Sequence, residues 1–396
     1  MMLFPFLFMF FTSLKQSQDT FNFPPRLLPR NQTYISVPGF EEPLKLYLLE
    51  DANGIMREFA LSRDIVQVGV FRDPTVPRDP NNPNAGEMID NRPLKDVQPS
   101  QNRIIYEGQW EDLYETPVDG QIVPMVLVRE AGANVFFNPE NPQETVLAIA
   151  RTSKRVEYIS FHPENYLEVL QLAEGSKAVL TNVLSMARSL TNTTLVTLLV
   201  VLGQLITSVL GGYAFARLRF PGRDNLFVIY LGTIMIPFVV LIIPLYRLMV
   251  IVEWVDRLAA LIIPWIFTAY GTFLMRQFFI TVPKDIEDAA IIDGANRFQI
   301  LWRIFIPAAA PALATQATFT FLYAWNSFFW PLVIINTGNF SNHVLTLSLN
   351  MLRGRAADTP NLVLAGAAIS VLPPIILFIL GQRFFIESAM SSGVKG

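Results

Sequence analysis

Two patterns of apolar and polar positions divide the chain. Beyond about residue 190 the apolar residues come in long blocks, whereas before residue 165 they alternate in short runs between turn-forming clusters. A helix that crosses a bilayer needs roughly 20 mostly apolar residues. Five segments meet that length: Thr193 to Ala216, Leu226 to Val250, Leu258 to Ile280, Ile304 to Ile335 and Leu362 to Phe385. None carries a charge near its centre, and Arg247 and Arg276 lie toward segment ends, where a long side chain can reach the headgroups. Pro237, Pro244, Pro264, Pro331, Pro373 and Pro374 fall inside these segments. A bundle tolerates them because neighbouring helices re-satisfy the freed carbonyls. They fit kinks in a moving pathway and ordinary membrane-helix prolines equally well.

The polar region from residue 16 to 176 reads differently. Period-2 stretches rich in β-formers occur at Thr33 to Val37, Leu44 to Leu49, Ile65 to Phe71, Arg103 to Tyr106, Val123 to Arg129, Asn134 to Phe137, Thr145 to Ala150 and Val156 to Phe161. They predict a β-rich insert over about residues 32 to 157, long enough for a core of its own. Val123 to Phe137, with Glu-Ala-Gly-Ala-Asn in its middle, is expected to be a hairpin. The prolines and asparagines from Arg72 to Gly86 predict an exposed loop. Met1 to Phe11 is apolar but about half a span long and has no basic flank before it, so residues 1 to 15 are expected to be the remnant of a first membrane helix.

Composition supports the membrane reading. Hydrophobic residues make up 52% of 396 positions, charged residues 16%, and the mean hydropathy is +0.37. With 0 cysteines the chain has no disulfide or thiolate metal site. His162 and His343 lie on unrelated segments, which argues against a histidine metal centre or catalytic triad. Charge is split: residues up to Glu174 carry a net −9 and those from Lys177 a net +6. Arg217, Arg219 and Arg223, then Arg276, Lys284, Arg297 and Arg303, then Arg383 and Lys395 fall in alternate loops, so the positive-inside rule puts those loops in the cytoplasm. The other side holds Glu253, Asp256 and Arg257, then Arg353, Arg355 and Asp358, and with them the acidic β-rich insert.

Among the cytoplasmic loops, residues 281 to 303 carry the chemistry. The run VPKDIEDAAIIDGANRFQILWRIFIPAAAPAL, Val282 to Leu313, is a charged helix-former between two apolar segments. Pro283 can open a helix over Lys284 to Ile292, acidic residues in the first turn suit the macrodipole, and Gly294 offers a turn before a second helix near Asn296. Ala289 and Ala290 permit close backbone approach, and Ile286, Ala289, Ala290 and Ile292 do not fill a broad apolar stripe. The helix is therefore expected to present itself to a partner; an ordinary solvated loop is the plainer reading. Tyr323, Trp325, Asn326 and Trp330 suit contact with pyranose rings, or an aromatic belt at the membrane interface.

In Asp288-Ala289-Ala290, Gly294, Ile304, Ile306 and Pro307 the chain resembles the permease subunits of ATP-binding-cassette importers, whose cytoplasmic signature is Glu-Ala-Ala, three residues, Gly, nine residues, Ile, one residue, Leu-Pro. The spacing fits throughout, with Asp for Glu at 288 and Ile for Leu at 306. PFLFMFFTSLK from Pro5, NYLEVL from Asn165, GGYAFARLRFPGR from Gly211, YAWNSFFWPLV from Tyr323 and the C-terminal QRFFIESAMSSGVKG resemble the smaller permease of carbohydrate importers of the maltose and glycerol-phosphate type. The insert departs from that family, which has a short loop there. The resemblance implies an all-α polytopic membrane protein with a six-helix core, the first helix truncated, over residues 177 to 396 plus the N-terminal remnant. It implies docking of an ATPase on Asp288, Ala289, Ala290, Gly294, Ile304 and Pro307. The implied partners are a second permease subunit, two ATP-binding subunits, an extracytoplasmic solute-binding protein, a sugar and the lipid, with no nucleic acid. By position, the insert is expected to touch the solute-binding protein.

The chain holds no G-x-x-x-x-G-K-[ST] loop, so it is expected to be neither an enzyme nor a binder of cofactor or metal, with ATP and Mg held by partner subunits. A secondary transporter would show inverted repeats or mid-span carboxylates, and neither is found. A membrane-anchored receptor acting through the insert would explain the insert but not the cytoplasmic run. An enzyme has least support.

Overall fold

The computed structural model describes residues 3–21, 25–37, 40–51, 54–76, 86–118, 121–171, 186–338, 340–354 and 359–393. They form two compact units: Arg30–Ser160, and Met1–Pro29 together with Phe161–Gly396.

The first unit is all-β and antiparallel. Its strands are β1 Arg30–Gln32, β2 Tyr34–Ile35, β3 Leu44–Glu50, β4 Met56–Arg72, β5 Glu87–Pro93, β6 Pro99–Tyr106, β7 Gln109–Val118, β8 Gln121–Phe137, β9 Thr145–Ala148, β10 Lys154–Arg155 and β11 Glu157–Ile159. The main sheet runs β10-β3-β4-β8-β7-β6, with β2 on β3, β5 on β4 and β9 on β8, while β1 pairs β11. Alternation along the strands drives the packing. Phe59, Phe71 and Phe136 are fully enclosed, each stabilising the fold by about 1.5–3 kcal/mol.

The expected hairpin at Val123 to Phe137 is absent; β8 is one continuous strand paired with β4 from Ala60↔Phe137 to Arg72↔Val126. The glycine that suggested a turn serves close packing instead: a Cβ on Gly132 would meet Ile65 Cγ2 at 3.1 Å. The tight turn lies elsewhere, at Glu107 (φ 54°) and Gly108 (φ 82°) between Tyr106 and Gln109, the two-positive-φ geometry that matches strand twist. Of the expected loop at Arg72 to Gly86, Arg72 closes β4 and Asp73 accepts from the backbone N–H of Thr75, whereas residues 77–85 lie outside the described residues.

The second unit is helical. It begins with the short apolar α1, Phe4–Ser13, then α2, Ser17–Thr20, and resumes with α3, Glu164–Gln171. Asn165 Nδ2 donates to the carbonyls of Ser13 (2.8 Å) and Lys15 (2.9 Å), and Ser13 Oγ bonds Tyr166 OH at 2.6 Å, so the end of α1 is stapled to α3. Among the described residues three helical stretches are long and apolar enough to cross a membrane: Met186–Arg217 (α4), Ala259–Thr281, and Pro360–Gln382 of α15, Pro360–Gly393. Two bent pairs bring the number to 5 if each is one span.

Both bent pairs break within segments expected as single spans, one of them at Pro237, where a kink was one of the two readings. Leu226 to Val250 is broken at Pro237 into Arg223–Met235, which opens with α5, Arg223–Gly232, and α6, Phe238–Ile251, at 98°. Proline removes a helical donor and clashes with the preceding turn. Ile304 to Ile335 is likewise not one helix. Arg297–Ala308 meets α12, Ala310–Trp325, at 77°, and α13, Phe329–Ile334, is separate, followed by α14, Leu345–Arg353.

The stretch Ala259–Thr281 is itself interrupted, with α7 over Ala259–Ile262, a 3₁₀ turn at Pro264 and α8 over Ala269–Thr281. The break frees carbonyls within a span, and α4 supplies donors: Gln204 Nε2 to Trp265 O at 2.8 Å and Thr207 Oγ1 to Ile266 O at 2.6 Å. Glycines let α4 and α8 approach; a Cβ on Gly212 would meet Met275 Cβ at 2.5 Å and the Arg276 backbone nitrogen at 3.0 Å.

Candidate functional site

The loop after α8 folds as its residues dictate. Val282 and Pro283 are extended (ψ 128° and 137°), and proline's fixed φ starts α9, Lys284–Ile292, with Asp285 and Glu287 in its first turn. The helix ends at Asp293. Gly294 takes φ 84°, its N–H bonds Ile291 O at 3.0 Å, and Ala295 N–H reaches back to Ala290 O at 2.9 Å. This double closure needs a left-handed residue just past the helix, which glycine adopts without strain. Asn296 then caps α10, Arg297–Ile300: its side chain accepts from Gln299 N (2.8 Å) while Gln299 Oε1 accepts from Asn296 N (2.9 Å). A π-helical turn, Leu301–Phe305, and α11, Ile306–Ala308, carry the chain into α12.

The six expected docking residues fall into two sets. Asp288, Ala289, Gly294 and Pro307 are exposed. Ala290 and Ile304 are half-buried and pack on the cluster of Tyr213, Met275, Phe279 and Phe305. Around the exposed set, Ile292 is 85% and Phe298 65% exposed, and Phe298 stacks on Trp302 at 6.2 Å. A charged helix end is thus ringed by bare apolar side chains.

Sequence reasoning passed over Glu287. Its side chain is 8% exposed and lies 3.4 Å from Arg217 and 2.5 Å from Arg297. Two cations around one enclosed carboxylate compensate its desolvation. The available signal was positional: Glu287 follows Lys284 by three residues on a short helix flanked by arginines on both sides in sequence, Arg276 and Arg297.

The four aromatic and amide residues separate. Trp325 and Trp330 are buried, with indole N–H groups bonded to Ser370 O (3.0 Å) and Ala260 O (2.9 Å). Asn326 is exposed and donates to Leu322 O within its own helix end. Tyr323 is 54% exposed and borders an open cavity of 740 Å³ with Gln204, Thr320, Trp265 and Phe319. Tyr323, Trp325 and Trp330 also share a narrow apolar pocket. Gln204 and Thr320, joined at 2.7 Å, line the larger cavity with Thr233 and Thr268 and were not singled out in the sequence, where they read as ordinary span residues.

Residues 205–388 match the family model described as "Binding-protein-dependent transport system inner membrane component". The "Arabinooligosaccharides transport system permease protein AraQ" of Halalkalibacterium halodurans is 36% identical over 207 residues, 52% of this chain and 73% of that protein. The "sn-glycerol-3-phosphate transport system permease protein UgpE" of Rhizobium meliloti is 32% identical over 230 residues, 58% of this chain and 80% of that protein. A solved bacterial ABC transporter involved in the import of the acidic polysaccharide alginate aligns with 57% of this chain and 81% of its own at 26% identity and TM-score 0.47.

Proposed function

The chain belongs to the family of binding-protein-dependent transport system inner membrane components, and from that premise we propose that it is a permease subunit of an ATP-driven importer for carbohydrates or a related polyol phosphate. The names of its relatives, one for arabinooligosaccharides and one for sn-glycerol-3-phosphate, support a hydroxyl-rich solute. The six-helix core would include α1. The single observation that carries the coupling role is α9, a doubly closed helix between two membrane segments with Asp288 and Ala289 bare.

In this reading the ATPase is a separate chain. Closure of two ATP-binding subunits moves α9 and its counterpart on a second permease, and the two permeases rock between inward-facing and outward-facing states around the solute. Hydrolysis takes place in trans because no phosphate-cradling loop is present in the sequence. Tyr323, with Gln204 and Thr320 along the 740 Å³ cavity, supports a solute path on that face; Trp325 and Trp330 would shape it from behind. The loop 281–303 and the C-terminus would face the cytoplasm. The β-rich insert would lie outside, where a solute-binding protein docks; deleting residues 32–157 should then weaken association with that protein, read by copurification.

The deciding experiment removes Asp288–Gly294. The wild-type chain should retain an ATPase subunit on affinity purification from membranes, and the deletion variant should lose it while still inserting. Equal retention would overturn the assignment of α9.

A further inference from the structure

Neither end of α9 is continuous with a neighbouring helix. Before it come two extended residues, Val282 and Pro283; after it come Gly294 at φ 84° and the extended Asn296 (ψ 165°). Neither joint continues a helix, so a push on α9 would swivel it unless side chains fix it to the bundle. The fixture is built around Arg217, the last residue of α4, whose side chain is 5% exposed. Its guanidinium donates to the carbonyls of Phe279 (2.6 Å) and Val282 at the end of α8, lies 3.4 Å from Glu287 of α9, and stands 4.9 Å from the centre of the Phe305 ring in the π turn. Glu287 in turn accepts from Arg297 Nη1 of α10 at 2.5 Å. Phe305 makes edge contacts with Tyr213 of α4 (5.2 Å) and Phe279 of α8 (5.4 Å), enclosing the group on the bundle side.

One planar fork thus serves α4, α8 and α9 at once. Arginine suits this because its donors are fixed in a plane and its charge is not lost on burial. The pair lies where α9 meets the bundle, whereas the neighbouring Asp288 and Ala289 face outward. A buried ion pair is weak as a source of stability and strong as a constraint on orientation.

We propose that Arg217 and Glu287 form the strut that carries displacement of α9 to α4 and α8, which makes them positioning residues for coupling and not part of the docking surface. This rests on α9 being the seat of the ATPase. The displacement reaches α4 at its cytoplasmic end and α8 at its last turn, so the two glycine-packed helices move as one body. Without the strut, α9 follows the ATPase and the spans do not.

The test uses the whole complex, with its ATPase and solute-binding protein, in proteoliposomes. Glu287→Gln keeps the size and one acceptor oxygen but removes the charge and replaces the other acceptor with a donor. It should retain the ATPase subunit on purification and lower solute moved per ATP hydrolysed by tenfold or more. Arg217→Lys, which keeps the charge but cannot reach the two carbonyls and Glu287 together, should lower the same ratio, and it serves also if Glu287→Gln does not accumulate. The double variant should be no worse than the more severe single one, because both break one linkage. Since the chain has 0 cysteines, spin labels at Arg219→Cys, two residues past α4, and Asp285→Cys of α9 report the distance between the end of α4 and α9. That distance should be the same with and without ATP in the wild type and should broaden with ATP in Glu287→Gln. An unchanged transport ratio together with an unchanged distance would overturn the strut while leaving the docking assignment intact. Loss of the ATPase subunit from Glu287→Gln would overturn it as well, by making Glu287 a docking residue. Retention of the ATPase by the 288–294 deletion would instead remove the reading on which the strut rests.

Discussion

The β-sheet unit and the helical unit both enclose apolar side chains, but they differ in how many they leave bare and in the polar groups they bury between elements. In the sheet unit Phe59, Phe71 and Phe136 have no exposed surface. In the helical unit Ile243 is 74%, Val239 72% and Ile229 68% exposed, while Thr197 and Ser208 are fully enclosed and Gln316 is 1% exposed. The same residue types are used under two solvents. Water drives aromatic side chains off the surface of the first unit. Lipid offers no such drive, so small residues and polar side chains hold the helices together in the second. Gln316 Nε2 on Ser208 Oγ (2.7 Å) and Ser189 Oγ on Ser348 Oγ (2.6 Å) join the helices beside aromatic clusters such as that of Tyr213, Phe279 and Phe305.

The sharpest way to break that contrast is a matched pair of truncations. Phe136→Ala should destabilise the sheet unit by about 3–5 kcal/mol through lost burial and a cavity against Tyr47, its edge-on neighbour at 5.2 Å. Ile243→Ala should change stability by no more than about 0.5 kcal/mol, since its side chain is 74% exposed. Hydrogen exchange of β4 and β8 amides in the intact chain, and thermal unfolding in detergent, read the two effects. An equal loss from Ile243→Ala would mean that this face of α6 is covered by another chain.

A smaller effect tests the helical side of the contrast. Gly212→Val places a branched side chain where even a Cβ would meet Met275 Cβ at 2.5 Å, forcing α4 and α8 apart. Overpacking of this kind costs about 1–3 kcal/mol. The expected result is a lowered melting temperature in detergent together with reduced transport, because the strut and the broken segment near Pro264 both depend on that approach. A variant with unchanged melting would show that the two helices already separate in the working state.

What was legible in the sequence follows the range of the forces involved. α9 and its neighbours were readable because they are set locally: Pro283 fixes the start, Gly294 the left-handed turn, and Asn296 with Gln299 the next cap. The β-rich character of residues 30–160 was readable from alternation, yet β8 was misread as a hairpin. Gly132 carries the same letter whether it turns the chain or lets Ile65 approach, and the difference lies 67 residues away in β4. The bend after Ala308 was hidden because Ile306 to Ala310 are all apolar, so composition could not mark an end, whereas Pro237 was named but fitted a kink and an ordinary membrane helix equally well. Glu287 was passed over because Asp288 already filled the motif position, and Arg217 was read only as one cation among several on the cytoplasmic side. Their pairing joins residues 70 apart, a fact of tertiary packing alone.

The weakest expected effect concerns a carboxylate in the opposite situation to Glu287. Glu164, 62% exposed at the side chain, opens α3, and its carboxyl is held below the usual range first by its own backbone N–H at the helix start and then by His162, 2.5 Å away. A depressed folded-state value means stability that is present above the ordinary glutamate range and is lost as pH falls through it. Glu164→Gln should therefore flatten the acid side of the stability curve slightly and leave neutral pH nearly unchanged, since solvent screens so exposed a pair. Melting curves of the intact chain between about pH 3 and pH 7 check this, relative to the ordinary glutamate value near 4.3. A loss as large as that of Phe136→Ala would place Glu164 among the enclosed polar groups that hold the helices, and the contrast between exposed and enclosed carboxylates would no longer hold.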